Sequence, residues 1–263
     1  MSAADRTPAA GHTPTAAELT GRRALITGAS RGMGRAHALA LAARGADLAL
    51  ADIDAAELAE TAEAVRAAGG TAVALGADIT DREQAEKLVA EAVAALGGLD
   101  ILVHNAGLIH SMTGLADTAD EDVARLLAVN IWAPLHLTRA ALPELRRSPA
   151  ARVIFINSQW GQVPDGHSYG YMVSKAGQLG LMKTLAQEFA AERIMVNAVA
   201  PGAIATRMVP PENHDAEVAA VPVGRLGQPS EIADVVAFLA GDTGAFITGQ
   251  TVPVNGGALL VGI

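Results

Sequence analysis

Cysteine is absent from the 263-residue chain, which excludes disulfides, thiolate catalysis and Cys-ligated zinc. Aromatic residues are scarce at 3%, while alanine and glycine are abundant, a composition that suits helices packed closely on a sheet better than a β-sandwich. A basic surplus is also missing. The net charge of -9 and isoelectric point near 5.2 leave no cations to replace the counterions of a polynucleotide, so no nucleic-acid partner is expected. No apolar run reaches the roughly 18 residues that span a bilayer, despite a mean hydropathy of +0.28, so no membrane partner is expected. The seven histidines are scattered and form no HExxH pair, so no metal site is expected. Met1 to Thr20, rich in Ala, Thr and Pro, has no apolar core after a basic start. Residues 1–18 therefore read as a disordered tail before one domain, 19–263, and the default location is cytoplasmic.

What is present is an alternation of short apolar runs and amphipathic stretches. Strands are expected at Arg23–Thr27, Ala46–Ala51, Thr71–Gly76, Leu99–His104, Arg152–Asn157, Met195–Val199 and Gln250–Val254. Helices are expected at Gly32–Arg44, Ala55–Ala67, Asp81–Leu96, Asp117–Leu145, Ser168–Ala191 and Ser230–Ala240. Continuously apolar strands, each followed by a helix, imply a parallel sheet covered on both faces. The fold class is thus α/β: a Rossmann-like, doubly wound parallel sheet of about seven strands with helices on both faces, in one domain. Pro201 to Pro229 reads as a long irregular segment, of the kind that forms lids and binding loops.

Directly after the first strand comes Thr27-Gly28-Ala29-Ser30-Arg31-Gly32-Met33-Gly34, opening a helix. Glycines there permit a tight turn and let backbone N–H groups approach a pyrophosphate at the helix N-terminus. The spacing is Gly-x-x-x-Gly-x-Gly, and an ordinary glycine-rich turn is the bland alternative. Gly28, Ser30, Arg31, Gly32, Met33 and Gly34 are the candidate phosphate-binding residues. Asp52 lies 18 residues after Gly34, at the end of the second strand. A carboxylate there can accept hydrogen bonds from the adenosine ribose hydroxyls and repel a 2′-phosphate, which favours NAD over NADP. Arg31 pulls the other way, since a guanidinium can pair with that phosphate. Ile53 stands where an NADP site often has a basic residue, and Asp52 carries the greater weight. Asp78 with Ile79, just past the third strand, suits the adenine edge, with a helix cap as the alternative for Asp78.

Tyr171-Met172-Val173-Ser174-Lys175 places a phenol and an ammonium four residues apart on one helix face. The cation is expected to lower the Tyr171 pKa from its reference near 10, fitting the phenol for acid/base work near neutral pH. Ser158, thirteen residues earlier at a strand's C-terminal end, can hydrogen-bond the substrate oxygen. Tyr169 lacks such a partner, because Val173 stands four residues on.

With these motifs the sequence resembles the short-chain dehydrogenase/reductase family, over about Leu19 to the C-terminus. The resemblance runs through TGASRGMG (Thr27–Gly34), HNAG (His104–Gly107), Asn130, Ser158, YMVSK (Tyr171–Lys175) and Pro201-Gly202. It implies that Tyr171 is the acid/base, that Lys175 binds the nicotinamide ribose and tunes Tyr171, and that Ser158 orients substrate. It implies further that Asn130 holds a proton-relay water, that Asn105, Ala106 and Gly107 line the cofactor, and that Pro201, Gly202, Ile204 and Thr206 embrace the nicotinamide end. His104 replaces the first Asn of the family's NNAG, which puts one sheet-stabilising contact in doubt. Asn157 stands where many relatives carry a second Ser.

The substrate wall is expected from Leu108–Met112, Gln159–Val163, His167 and the loop near Met208. Trp160, Val163, Pro164 and Met208 suggest an apolar secondary alcohol or ketone, an alicyclic one fitting well, with His110 a further candidate contact. An NADPH-dependent ketoreductase of a biosynthetic pathway is the alternative. A non-enzymatic dinucleotide-sensing protein is a third reading, against which the intact Ser158, Tyr171, Lys175 and Asn130 speak. The helices over 117–145 and 168–191 carry small or apolar residues on more than one side, and the family resemblance implies that they form the main dimer contact and the apolar 258–263 tail a second one. Such an excess of apolar surface implies a homo-oligomer, expected as a homotetramer.

Overall fold

The computed structural model describes residues 18–109, 113–164 and 167–260. Seven strands, β1 (Arg23–Thr27), β2 (Asp47–Asp52), β3 (Ala72–Gly76), β4 (Ile101–His104), β5 (Arg152–Ile156), β6 (Met195–Pro201) and β7 (Thr251–Val254), form one sheet in the order β3-β2-β1-β4-β5-β6-β7. Every pairing is parallel. The central β4 and β5 are buried along their whole length, as apolar runs such as Arg152-Val-Ile-Phe-Ile156 require when both faces are covered. The edge strands read differently: β3 alternates, and β7 tolerates Pro253 because only one side of it donates to a neighbour.

The helices are α1 (Gly32–Ala42), α2 (Ala55–Ala67), α3 (Arg82–Leu96), α4 (Asp120–Leu127), α5 (Ala133–Arg147), α6 (Tyr169–Phe189), α7 (His214–Ala220) and α8 (Pro229–Ala240). Leu41, Leu58 and Val236 from α1, α2 and α8 pack on one sheet face, and Leu88, Leu137 and Met182 from α3, α5 and α6 on the other. Side-chain caps start two helices: Asp54 accepts from Glu57 N on α2, and Asp81 from Gln84 N on α3. Chain order reverses between β1 and β4, so the crevice beyond their C-terminal ends is where a doubly wound sheet binds its ligand. Among the described residues no helix is long and apolar enough to cross a membrane.

Three expectations need correction. The helix expected over Asp117–Leu145 is two helices, α4 and α5, joined by a π-helical turn at Ala128–Trp132. Pro134 has no N–H to return to the Asn130 carbonyl, so the α-helical ladder widens there. The 201–229 segment is not irregular throughout: a 3₁₀ turn (Pro211–Asn213) leads into α7, where Ala-rich sequence with Asp215 and Glu217 in the first turn favours a helix. The tail does not include residue 18, because Glu18 Oε1 accepts a 3.0 Å hydrogen bond from Thr243 Oγ1. The rest of the expected tail lies outside the described residues.

Candidate active site

The β1–α1 loop is shaped by its glycines. Gly28 takes φ +66 and Gly32 φ +55, in the left-handed region that glycine enters freely. A Cβ on Gly28 would stand 2.8 Å from Ala106 Cα, and one on Gly34 would drive into the Gly28 carbonyl oxygen. Asn105 ties the loop down, donating from Nδ2 to the Thr27 and Gly28 carbonyls at 3.0 and 2.9 Å. The first turn of α1 has no side-chain cap and no acidic residue, so its amides are left for an anion. In front of them opens a cleft of about 730 Å³. Gly28, Ser30, Arg31, Gly32, Met33 and Gly34 line it, together with Asp52, Ile53, Asp78, Ile79, Asn105, Ala106, Gly107, Thr206, Arg207 and Met208. A bare glycine cradle under a helix N-terminus, in a cleft of this volume, fits a dinucleotide.

Asp52 ends β2 with both carboxylate oxygens engaged: Oδ2 accepts from Ser30 N at 3.0 Å and Oδ1 from Asp54 N at 3.1 Å. It thereby stitches the glycine loop to β2 while still facing the cleft. Asp78 is not a helix cap. Its Oδ1 closes a local turn by accepting from Thr80 N and Oγ1, and Asp81 caps α3 instead.

Beside the cleft, Ser158 follows β5 and Tyr171 and Lys175 lie on α6. Ser158 Oγ accepts from Trp160 N at 3.2 Å. Lys175 Nζ sits 5.8 Å from the centre of the Tyr171 ring and donates to the Ile156 carbonyl at 2.9 Å. The expected lowering of the Tyr171 pKa is reversed. Burial pushes the phenol above its usual 10, and the nearby Ser158 hydroxyl offsets only part of that. Burial also pushes the Lys175 ammonium down, to about 8.

Asn130, fully buried in the π turn, has its side-chain amide committed: Oδ1 accepts from Leu108 N, and Nδ2 donates to Leu108 O and Ser174 Oγ. Its main-chain carbonyl accepts from Gln178 Nε2 at 2.9 Å. Asn157 Nδ2 donates in turn to Gln178 Oε1 and to the Lys175 carbonyl, both at 2.9 Å. This amide relay locks the end of β5, α6 and the π turn together. Sequence reading missed Gln178. Its signal was a polar residue one turn beyond Lys175, on the side of α6 that carries Ser174 and Lys175 into the interior. His104 keeps a contact where the family Asn is lost: Nε2 lies 2.8 Å from Thr138 Oγ1 and the ring packs on Phe155.

The cleft is lined by none of Ser158, Asn130, Trp160, Tyr171, Lys175, Pro201, Gly202 and Ile204. Ile204 departs from the expected cofactor contact as a side chain, being buried in the core. Gly202 packs against Asn255 and Gln159, and Pro201 ends β6. Trp160 meets Tyr171 edge-on, with ring centres 6.4 Å apart. Met208 is exposed at the cleft rim. His110 lies outside the described residues. Among the described residues no cluster of three or more His, Asp or Glu could hold a metal ion. Two groups that sequence reading passed over, Glu57 and Arg207, meet at the Asp52 end of the cleft (Arg207 Nη1 to Glu57 Oε1, 2.7 Å). No short-range pattern marks a pair 150 residues apart.

A doubly wound parallel sheet with this cradle at its switch point defines a dinucleotide-binding α/β protein. Residues 28–258 match the family model described as Enoyl-(Acyl carrier protein) reductase. Nodulation protein G of Rhizobium meliloti (strain 1021) is 38% identical over 93% of this chain and 99% of its own. The 3-oxoacyl-[acyl-carrier-protein] reductase FabG of Escherichia coli (strain K12) is 39% identical over 92% of this chain and 98% of its own. A short chain dehydrogenase from Burkholderia cenocepacia J2315, solved in complex with NADP, superposes with a TM-score of 0.87 at 34% identity, covering 92% of this chain and 99% of that one. The chain belongs to the short-chain dehydrogenase/reductase family, and is thus an oxidoreductase acting on CH–OH or keto groups with a nicotinamide dinucleotide.

Proposed function

We propose that this chain transfers a hydride between NAD(H) and a secondary alcohol or ketone of apolar, alicyclic character. The observation that carries the reading is the buried Lys175 ammonium, one helical turn along from Tyr171 and 5.8 Å from the centre of its ring, beside a glycine-cradled cleft of about 730 Å³. Gly28 to Gly34 hold the pyrophosphate, Asp52 the adenosine ribose, and Asp78 and Ile79 the adenine edge. The nicotinamide supplies the hydride acceptor or donor. Tyr171 moves the proton: as a phenol it donates to the carbonyl oxygen during reduction, and as phenolate it takes the hydroxyl proton during oxidation. Ser158 orients the substrate oxygen, Lys175 grips the nicotinamide ribose, and Asn130 holds the far side of α6 in place. Trp160 and Met208 supply the apolar wall. The exposed apolar residues of α6 and the π turn, Val173 and Trp132, support assembly into a homotetramer.

A second reading, an NADPH-dependent ketoreductase of a biosynthetic pathway, draws support from the NADP-bound Burkholderia relative and from the Escherichia coli reductase. Asp52, facing the cleft as a carboxylate, favours the first. Initial rates with NAD(H) and NADP(H) decide between them, using cyclohexanol, 2-heptanol and their ketones, with acetoacetyl-CoA as a 3-oxoacyl thioester. The expected result is an NAD advantage of about tenfold or more in kcat/KM, or ~1.4 kcal/mol. Equal use of both cofactors sinks the NAD assignment, and turnover of acetoacetyl-CoA alone sinks the apolar-alcohol assignment.

A further inference from the structure

Two guanidinium groups reach the corner of the cleft where Asp52 stands. Arg31 comes from the glycine loop and Arg207 from the segment after β6, and both line the cleft. A dinucleotide with a 2′-phosphate brings its extra charge to this corner, beside the end of β2. Guanidinium is the group best suited to grip it, through paired N–H donors. By residue type alone, the chain already carries the cations of an NADP site.

Both are held by one carboxylate. Arg207 Nη1 donates to Glu57 Oε1 at 2.7 Å and Arg31 Nη1 to Glu57 Oε2 at 3.2 Å, while Asp54 Oδ2 lies 3.7 Å from the same Arg31 nitrogen. Glu57 is well placed for this, in the first turn of α2, where its own N–H is capped by the Asp54 side chain. It is also the most shielded member of the group, its side chain 27% exposed against 54% for Arg31 and 72% for Arg207. Asp52, Asp54 and Glu57 outnumber the two arginines, so the corner is net negative and becomes neutral on loss of one carboxylate. Removing Glu57 takes away a repelling charge and releases both guanidinium groups at once.

We infer that Glu57 is a specificity-determining residue: by occupying Arg31 and Arg207 it closes the Asp52 corner to a 2′-phosphate, and Asp52 and Glu57 together select NAD. The inference rests on the reading that this cleft holds a dinucleotide with its adenosine ribose at Asp52. Exposed pairs of this kind contribute little to stability, so Glu57→Gln is expected to fold.

The test is fluorescence titration of the full chain with NADH and with NADPH, which needs no substrate. Glu57→Gln is expected to tighten NADPH binding by about tenfold while NADH affinity changes by less than about threefold. Adding Arg31→Met and Arg207→Met to that variant is expected to return NADPH to its parental affinity. NADPH affinity unmoved by Glu57→Gln, or a gain that survives loss of both arginines, overturns the role of Glu57 alone. A parent protein that binds neither cofactor, or binds NADPH as tightly as NADH, overturns the underlying reading as well.

Discussion

Lys175 is buried as a cation with one fixed hydrogen bond, and burial pushes its pKa down to about 8. If the ammonium is needed beside Tyr171, ketone reduction runs at its full rate below about pH 8 and falls as pH rises through that value. Initial rates of NADH-linked reduction across roughly pH 6 to 10 check this, and a rate that stays flat or climbs past pH 9 contradicts it. The positions of Tyr171, Lys175, Ser158 and Asp52 were legible in the sequence because each is fixed by its spacing from a strand end or a helical turn. The direction of the Tyr171 shift was not. Spacing reveals the neighbouring charge, whereas the desolvation that outweighs it depends on everything packed around the ring. Glu57 and Arg207 were invisible for a related reason, since their meeting is a property of the folded chain and not of either local sequence.

At the scale of elements, the strands were read to within two residues because parallel strands buried on both faces are continuous apolar runs. The broken helix at Ala128–Trp132 is more instructive. Its cause is Pro134, two residues into α5, which removes the donor that the Asn130 carbonyl would receive in an α-helix. Amphipathic periodicity ran through the break and masked it. Gln178 fills the vacated acceptor, so the relay Asn157–Gln178–Asn130 is expected to matter for both packing and rate. Gln178→Met keeps the volume but strips the Asn130 carbonyl of its partner, and is expected to cost about 1–3 kcal/mol of stability in urea unfolding. Turnover is expected to drop by about tenfold with NADH affinity little changed, because the relay holds the reacting groups and not the adenosine half. Unchanged stability would show that Gln178 is a bystander.

For the whole molecule, acid is the condition that exposes how the core is built. His37 and His104 are buried, and desolvation pushes each down to about 3, from 6.5 in the open chain. The unfolded state therefore binds more protons between about pH 3 and 6.5. Stability is complete above 6.5 and is lost as pH falls, by up to about 1.4 kcal/mol per pH unit for each histidine. Among side chains only histidine has its ordinary pKa between about 5 and 6.5, so the slope of thermal midpoint against pH over that range reports chiefly the histidines. A midpoint that is level over that range contradicts the burial of neutral imidazoles. Assembly is a second whole-molecule property. On α6, Leu179, Met182, Leu185 and Phe189 turn inward, while Val173, Ala176, Gly177 and Gly180 form an exposed, nearly flat strip. Light scattering at micromolar concentration is expected to give a mass near four times 26.7 kDa, and a mass near 26.7 kDa rules the tetramer out. The central claim, that this molecule is a hydride-transfer enzyme whose proton moves through one phenol, is tested most directly by turnover of Tyr171→Phe with NAD. The account predicts a loss of about a thousandfold or more in kcat with NADH affinity retained. Turnover within about tenfold of the parent contradicts it and points to another acid, with Tyr169 the first to examine.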